Sequence, residues 1–226
     1  MKYLIILFGM LCVFSASCKG RKDRQELKPS LQKIDEKSFQ NGIGMKMIYL
    51  SDDYWVSAYE TTKKEYYTIT APTKITPKGE ANMPISIISS NQAIEFCKKL
   101  TKYEKENGLL PTGYVYSLPS EKMWRSYVSD AKYKDAVFNE YTLNGPKKVG
   151  TLAPNRLGLY DVRGNVYEWV LDWYQPNNKK WSRVVLGGGF LDSTLEKYDI
   201  KNRSGLLGAG ATSIDIGFRV VLVPNR

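Results

Sequence analysis

The signals for regular structure are divided unevenly along this chain, and that division constrains the fold more than any other feature. Two amphipathic helical patterns lie in the first half, one over about residues 90–106 and one after Pro119. After residue 145 short apolar runs are separated by glycine turns such as Arg163-Gly164 and Gly187-Gly188-Gly189. Strands and helices therefore do not alternate, and the sequence predicts an α+β domain and no βαβ units.

The longer helix has the clearest boundaries. Ser90 or Asn91 is its expected N-cap, and it runs to about Glu106, shortly before a glycine. Its apolar residues recur at spacings of three and four, which places Cys97 in the core as an inert thiol. A Thr-Lys-Lys-Glu capping box at 62–65 predicts a further short helix.

The N-terminus has the pattern of an export signal. Lys2 precedes the 11-residue apolar run Leu4–Phe14, which is too short to cross a bilayer of about 30 Å. Small residues then lead to Cys18, as in a bacterial lipobox, although Ser15 stands where leucine or valine is expected. We expect a signal peptide over 1–17, a lipidated Cys18 and a membrane-anchored lipoprotein of the bacterial envelope, on the periplasmic face or the cell surface. The alternative is ordinary cleavage after Ser17 without a lipid.

A charged segment separates this signal from the body of the chain. Residues 18–40 carry few apolar side chains and cannot bury enough surface to offset the entropy of ordering them, so we interpret them as a tether. Alternating apolar residues begin at Met45, and the folded domain is expected over 41–226.

Composition excludes several classes of chemistry. The chain has no histidine and three cysteines, so a Ser-His-Asp triad, a histidine-bound metal and a CxxC redox site are all excluded. The net charge of +10 comes from lysines scattered in pairs, and a phosphate-binding surface would show clustered arginine with aromatics between. We expect no nucleic-acid partner.

The order of short motifs resembles the formylglycine-generating enzyme (sulfatase-modifying factor) family. The resemblance covers about residues 43–223 and implies a C-type-lectin-like fold with two main helices, a twisted antiparallel sheet and long loops. The matching segments are Gly44–Met47, Tyr59–Thr62, Pro84–Ile87, Tyr116–Trp124, Pro154–Trp169, Gly187–Phe190 and Gly217–Arg219.

The same resemblance shows where this chain departs from the family. The family's oxidase binds copper with two cysteines that follow its Gly-Gly-Ser-aromatic segment, and residues 190–198 contain no cysteine here. Copper(I) requires soft thiolates, which Asp192 cannot replace. The usual serine after Gly188 is Gly189. We therefore expect neither copper nor iron and no redox chemistry of the family type.

The resemblance also implies a possible calcium site. Asn165 and Glu168, with the backbone carbonyl of Val166, match family positions that hold this hard cation through oxygen ligands. Two alternatives stay open: Asn165 caps the Arg163-Gly164 turn, and Glu168 pairs with an arginine. Arg219 is interpreted as part of an internal salt bridge.

Two functions of different classes follow from these observations. The first is a non-catalytic binding or structural module of the envelope whose variable loops contact an unknown protein or glycan. Its candidate ligand-binding residues are Trp181, Asp192 and Tyr198. The alternative is an enzyme of the formylglycine-generating family, an oxidoreductase with a divergent active site.

Overall fold

The computed structural model describes residues 37–50, 53–132, 136–138, 145–174, 182–192, 204–205 and 210–225. All of them lie within one compact unit, Leu31–Arg226. The expected signal peptide, Cys18, Trp181 and Tyr198 lie outside the described residues. None of the helices in the described part of the chain is long and apolar enough to span a membrane.

The described residues form three helices, all in the first half of the domain: α1 (Lys63–Thr70), α2 (Ser90–Glu106) and α3 (Glu121–Val128). The capping box at α1 is present, since Thr62 accepts from the Glu65 amide and the Glu65 carboxylate accepts from the Thr62 amide. Ser89 caps α2, one residue earlier than expected, because Gln92 completes a second capping box there. The helix positions predicted from the sequence are thus correct to within one residue at these ends.

The strands form two sheets. The first has five strands in the order β1-β2-β3-β9-β4, all antiparallel, and the second has four in the order β7-β6-β5-β8. In the second sheet β5 and β8 are parallel over two residues, which the expected antiparallel sheet did not include. The strands are β1 (Ser38–Gln40), β2 (Lys46–Leu50), β3 (Tyr54–Ser57), β4 (Tyr114–Ser117), β5 (Tyr167–Tyr174), β6 (Ser182–Leu186), β7 (Ser204–Gly205), β8 (Ile216–Gly217) and β9 (Val221–Pro224).

Strand β1 corrects the predicted domain boundary. Ser38–Gln40 pair with Lys46–Ile48, so the folded domain includes residues that the sequence assigned to the tether. Hydrogen bonding to β2 orders these residues, and Phe39 packs against the first core cluster with its ring 6.0 Å from that of Trp55. The α+β class is confirmed.

Two apolar clusters form the core. The first packs α2 against both sheets and includes Phe96, Leu100, Trp169 and Phe218. The second packs α3 against β5 and β6 and includes Trp124. Trp124 and Trp169 are at most 1% exposed, so these large aromatic side chains anchor the two clusters.

Candidate functional site

A group of buried charged and polar residues lies where the two sheets meet the turn before β5. We call Glu60, Asn165, Glu168 and Arg219 the polar centre; each is at most 1% exposed. Glu60 follows β3, Asn165 and Glu168 lie before and within β5, and Arg219 lies between β8 and β9. Long-range strand pairing thus brings together residues up to 159 positions apart, counted from 60 to 219.

Glu168 is fully occupied by protein donors. Its Oε1 accepts from Arg219 Nε at 2.8 Å and lies 2.8 Å from Arg219 Nη2 in an ion pair. Its Oε2 accepts from Trp124 Nε1 at 2.9 Å and from the Tyr127 hydroxyl at 3.2 Å. A carboxylate has about four lone-pair positions, and these four contacts surround both of its oxygens with donor groups.

Asn165 and Glu60 form the second half of the polar centre. Asn165 donates from Nδ2 to Glu60 Oε2 at 2.6 Å and accepts at Oδ1 from the Lys147 amide at 2.8 Å. The Val166 amide donates to Glu60 Oε1 at 3.0 Å. Asn165 has a φ of 57°, a left-handed conformation that asparagine adopts more readily than other side chains.

Burial controls the charge state of this half. Desolvation raises the pKa of Glu60 well above its ordinary value, the negative charge of Asp161 raises it further, and Arg219 opposes the shift. The pKa of Asp161 is raised by the same desolvation. Arg219 also donates to the carbonyls of Ser57 at 2.9 Å and Tyr160 at 2.6 Å. A single buried guanidinium therefore faces three carboxyl groups and two carbonyls.

These contacts do not fit calcium ligation through Glu168. A calcium ligand needs an oxygen lone pair directed at the ion, whereas all of those on Glu168 meet donors and one donor is a cation. The Asn165 oxygen accepts one bond, from the Lys147 amide. Within the described ranges no group of three or more histidine, cysteine, aspartate or glutamate side chains is arranged to hold a metal. The geometry corresponds to the salt-bridge alternative for Glu168 and Arg219.

Beside the polar centre lies the glycine rim, which comprises residues 187–192 and the adjoining residues 87 and 213–215. The Ile87 amide donates to the Ser213 carbonyl at 3.0 Å, and the Asp192 amide donates to the Gly189 carbonyl at 3.1 Å. A Cβ atom at Gly189 would lie 2.8 Å from Asp215 Oδ2. The serine expected here from the family pattern would therefore require the Asp215 carboxylate to shift.

Asp192, a predicted ligand-binding residue, has a structural contact in the rim. It is 6% exposed, and its Oδ2 accepts from the Gly189 amide at 2.9 Å. This bond closes the turn after the three glycines. The described part of the rim instead presents apolar side chains.

Three apolar residues of the rim are exposed: Ile87 at 60%, Ile214 at 50% and Leu191 at 39%. Ile87 also has a φ of 58°. A β-branched residue in this conformation is an outlier that costs roughly 1–2 kcal/mol. The chain therefore holds an apolar side chain in solvent at a strained position.

Cys97, the single cysteine of residues 41–226, is buried in the core. Cys97 lies in α2 and is 2% exposed within the first core cluster. Desolvation by burial raises its pKa, which suppresses the nucleophilic thiolate. This agrees with the inert core cysteine predicted from the helical spacing.

Sequence reasoning identified part of this arrangement. The internal salt bridge of Arg219 is confirmed, with Glu168 as its partner. Glu60 was missed, because a glutamate next to a strand normally lies in solvent and its burial follows from long-range strand pairing. The sequence did contain one signal for the burial of Glu60. It lies directly before the capping box of α1, where the chain leaves the core.

Comparisons with known proteins agree with the resemblance identified in the sequence. A family model described as Sulfatase-modifying factor enzyme 1-like domain matches residues 32–223. The chain is 26% identical over 244 residues to Chaperone protein LppX of Paenibacillus barcinonensis, covering 82% of this chain and 85% of that protein. It is 26% identical over 167 residues to a Formylglycine-generating enzyme of Streptomyces coelicolor, covering 62% of this chain and 53% of that protein.

A solved structure supports the fold independently. Treponema denticola variable protein 1 superposes with a TM-score of 0.64 at 18% identity, covering 83% of this chain and 99% of that protein. At this identity the likeness concerns the fold alone. The C-type-lectin-like architecture expected from the resemblance is confirmed.

Proposed function

Because the chain belongs to the family of sulfatase-modifying factor enzyme 1-like domains, we propose that it is a non-catalytic, protein-binding module of the cell envelope. The observation that carries this proposal is the state of its thiols. Residues 41–226 contain one cysteine, Cys97, and this residue is buried in α2. A copper(I) site needs more than one accessible soft ligand, so the oxidase chemistry has no centre here.

The glycine rim supports a binding role. Exposed apolar residues that cost stability are retained where they serve recognition, because burial against a partner returns the free energy lost in solvent. Ile87, Leu191 and Ile214 come from three separate segments of the rim, and all three side chains are exposed. The relative LppX carries the name of a chaperone protein, which favours a polypeptide partner over a glycan.

Binding through the rim is tested by charge substitution. Ile87→Asp and Ile214→Asp should each abolish capture of the partner from envelope extract and its binding in purified form. Ile75→Asp is the matched control, because Ile75 is 90% exposed but lies outside the rim. Equal capture by all three variants would contradict a rim-mediated interaction.

Export and lipidation at Cys18 form the second part of the proposal. A lipid anchor would hold the domain at the membrane while the charged segment after Cys18 spans the distance to its surface. Mass analysis of the mature N-terminus tests this: a diacylated or triacylated Cys18 supports the anchor. An unmodified Cys18, or a chain retaining Met1, would contradict it.

The alternative function is enzymatic, and the relatives named formylglycine-generating enzyme favour testing it. Purified protein with copper and a cysteine-containing sulfatase peptide should produce no formylglycine by mass spectrometry. Turnover above a protein-free control would overturn the non-catalytic proposal. Rim-dependent binding would survive that result, so the two experiments fail independently.

A further inference from the structure

A cavity of about 380 Å³ lies where the two core clusters meet, and Lys122, Met123 and Ser126 of α3 form part of its lining. We call it the seam cavity. Leu118 belongs to the first core cluster and Tyr54 to the second, and both line it. Its volume is at the lower end of the range typical of small-molecule sites. The described residues lining it are Tyr54, Ser117, Leu118, Ser120, Lys122, Met123, Ser126, Leu171, Val223 and Pro224.

Hydrogen bonds to neighbouring groups orient several of the hydroxyl groups around the seam cavity. Ser126 donates to the Met123 carbonyl at 2.7 Å, so its 3.1 Å contact with Tyr54 has the tyrosine hydroxyl as donor. Ser120 accepts from the Met123 amide as the N-cap of α3 and keeps its own proton available. Ser117 makes no side-chain hydrogen bond within the described part of the chain. Ser117 and Ser120 therefore offer donors to the cavity.

The charge at the seam cavity has one sign. Lys122 is the single charged residue among the described residues that line it, and it forms no ion pair with any described side chain. Two acidic side chains near Lys122, those of Glu121 and Asp172, have other partners. Glu121 pairs with Arg125 at 2.7 Å, and Asp172 accepts from the Glu121 amide at 2.5 Å. The cavity thus combines apolar walls with an ammonium group and two hydroxyl donors.

We propose that the seam cavity binds a small amphipathic carboxylate, with its apolar body between Leu118, Leu171 and Val223 and its carboxylate at Lys122. A carboxylate only accepts hydrogen bonds, and the free polar groups at this site donate them. An uncharged or cationic ligand of the same shape would leave the ammonium without a counterion. This site is separate from the glycine rim and does not depend on the rim's partner.

Calorimetric titration of the full-length protein with octanoate tests the proposal, with octanol and octylamine as probes of equal chain length. Octanoate should bind saturably at one site, and octylamine should not bind. Lys122→Met keeps the aliphatic stem but removes the charge, and it should weaken octanoate roughly three- to tenfold while leaving octanol unchanged. Ser117→Ala should weaken octanoate by a smaller factor.

Lys98→Met is the matched control, because Lys98 is exposed on α2 and does not line the cavity. It should leave octanoate binding unchanged, and melting curves verify that all variants remain folded. Absence of saturable octanoate binding would overturn the proposal. So would equal affinity for octanol and octanoate in the native protein, or equal weakening by Lys98→Met and Lys122→Met.

Discussion

The polar centre and the glycine rim lie next to each other but are built in opposite ways. In the polar centre every oxygen of Glu168 has a donor, and its side chains are at most 1% exposed. In the rim, Ile87 is strained and 60% exposed. In the polar centre the donors of the protein occupy the carboxylate of Glu168, which fixes the backbone around it. In the rim a strained and exposed isoleucine lowers the stability of the domain but leaves an apolar surface for a partner. Substituting the polar centre should therefore destabilise the domain, whereas substituting the strained Ile87 of the rim should stabilise it.

The largest effect is expected from the polar centre. Arg219→Met leaves the Glu168 carboxylate buried and without its cation, and it also removes donors to two carbonyls. Breaking one side of a buried pair costs about 3–5 kcal/mol, so the free energy of unfolding measured in urea should fall by that amount. A loss below about 1 kcal/mol would show that the centre is not the fixed element described here.

Arg156→Met provides the surface control for that experiment. Arg156 is 72% exposed and lies 3.9 Å from Asp130, so the substitution should cost less than about 1 kcal/mol. If Arg219→Met fails to fold, Trp124→Phe removes one donor to Glu168 and should cost about 1–3 kcal/mol.

The next largest effect concerns space in the rim. Gly189→Ser places a Cβ atom 2.8 Å from Asp215 Oδ2 and 3.0 Å from Tyr167 Cδ2, which should destabilise the domain by about 1–3 kcal/mol. Gly210→Ser is the matched control, since a Cβ there meets nothing within 4 Å. If thermal melts shift equally for both variants, the crowding at Gly189 is not real.

The rim should also contain a position where substitution stabilises. Ile87→Asn retains φ near 58° at lower cost, because asparagine tolerates the left-handed region, and the free energy of unfolding should rise by about 1 kcal/mol. The same variant should lose binding to the rim's partner. Ile75→Asn should change neither quantity, and a destabilised Ile87→Asn would mean that the side chain packs in the domain.

A smaller effect distinguishes the two halves of the polar centre by pH. Burial raises the pKa of Glu60 above 4.5, so the stability that its neutral form contributes is complete below about pH 4.5. That contribution is lost as pH rises toward the raised value. Glu60→Gln should flatten this decline in urea unfolding measured between pH 4.5 and 7, leaving the part due to Asp161.

Glu95→Gln, on the exposed face of α2, is the control and should keep the native slope. A Glu60→Gln protein whose stability falls as steeply as the native one would show that Glu60 is already ionised in the fold.

Local signals explain why the first half of the fold was predictable and the polar centre only partly so. Capping at Thr62 and Ser120, and the spacing around Cys97, act within a few residues and can be identified in the sequence. Strand β1 was missed because its pairing with β2, and not its own composition, orders it. The role of Glu60 could not be predicted, because its hydrogen-bond donor Asn165 lies 105 residues away in the sequence.

The smallest expected effect is that of calcium on thermal stability. If the polar centre is not a binding site, calcium should not stabilise the domain through it. A ligand present at 100 times its dissociation constant stabilises by about 2.7 kcal/mol, which raises the melting temperature of a domain this size by several degrees. With Glu168 bonded to Arg219, Trp124 and Tyr127, saturating calcium should give the same melting curve as saturating magnesium. A calcium-specific rise that Arg219→Lys alters would mean that the salt bridge opens to admit the ion, and the polar centre would then be a binding site after all.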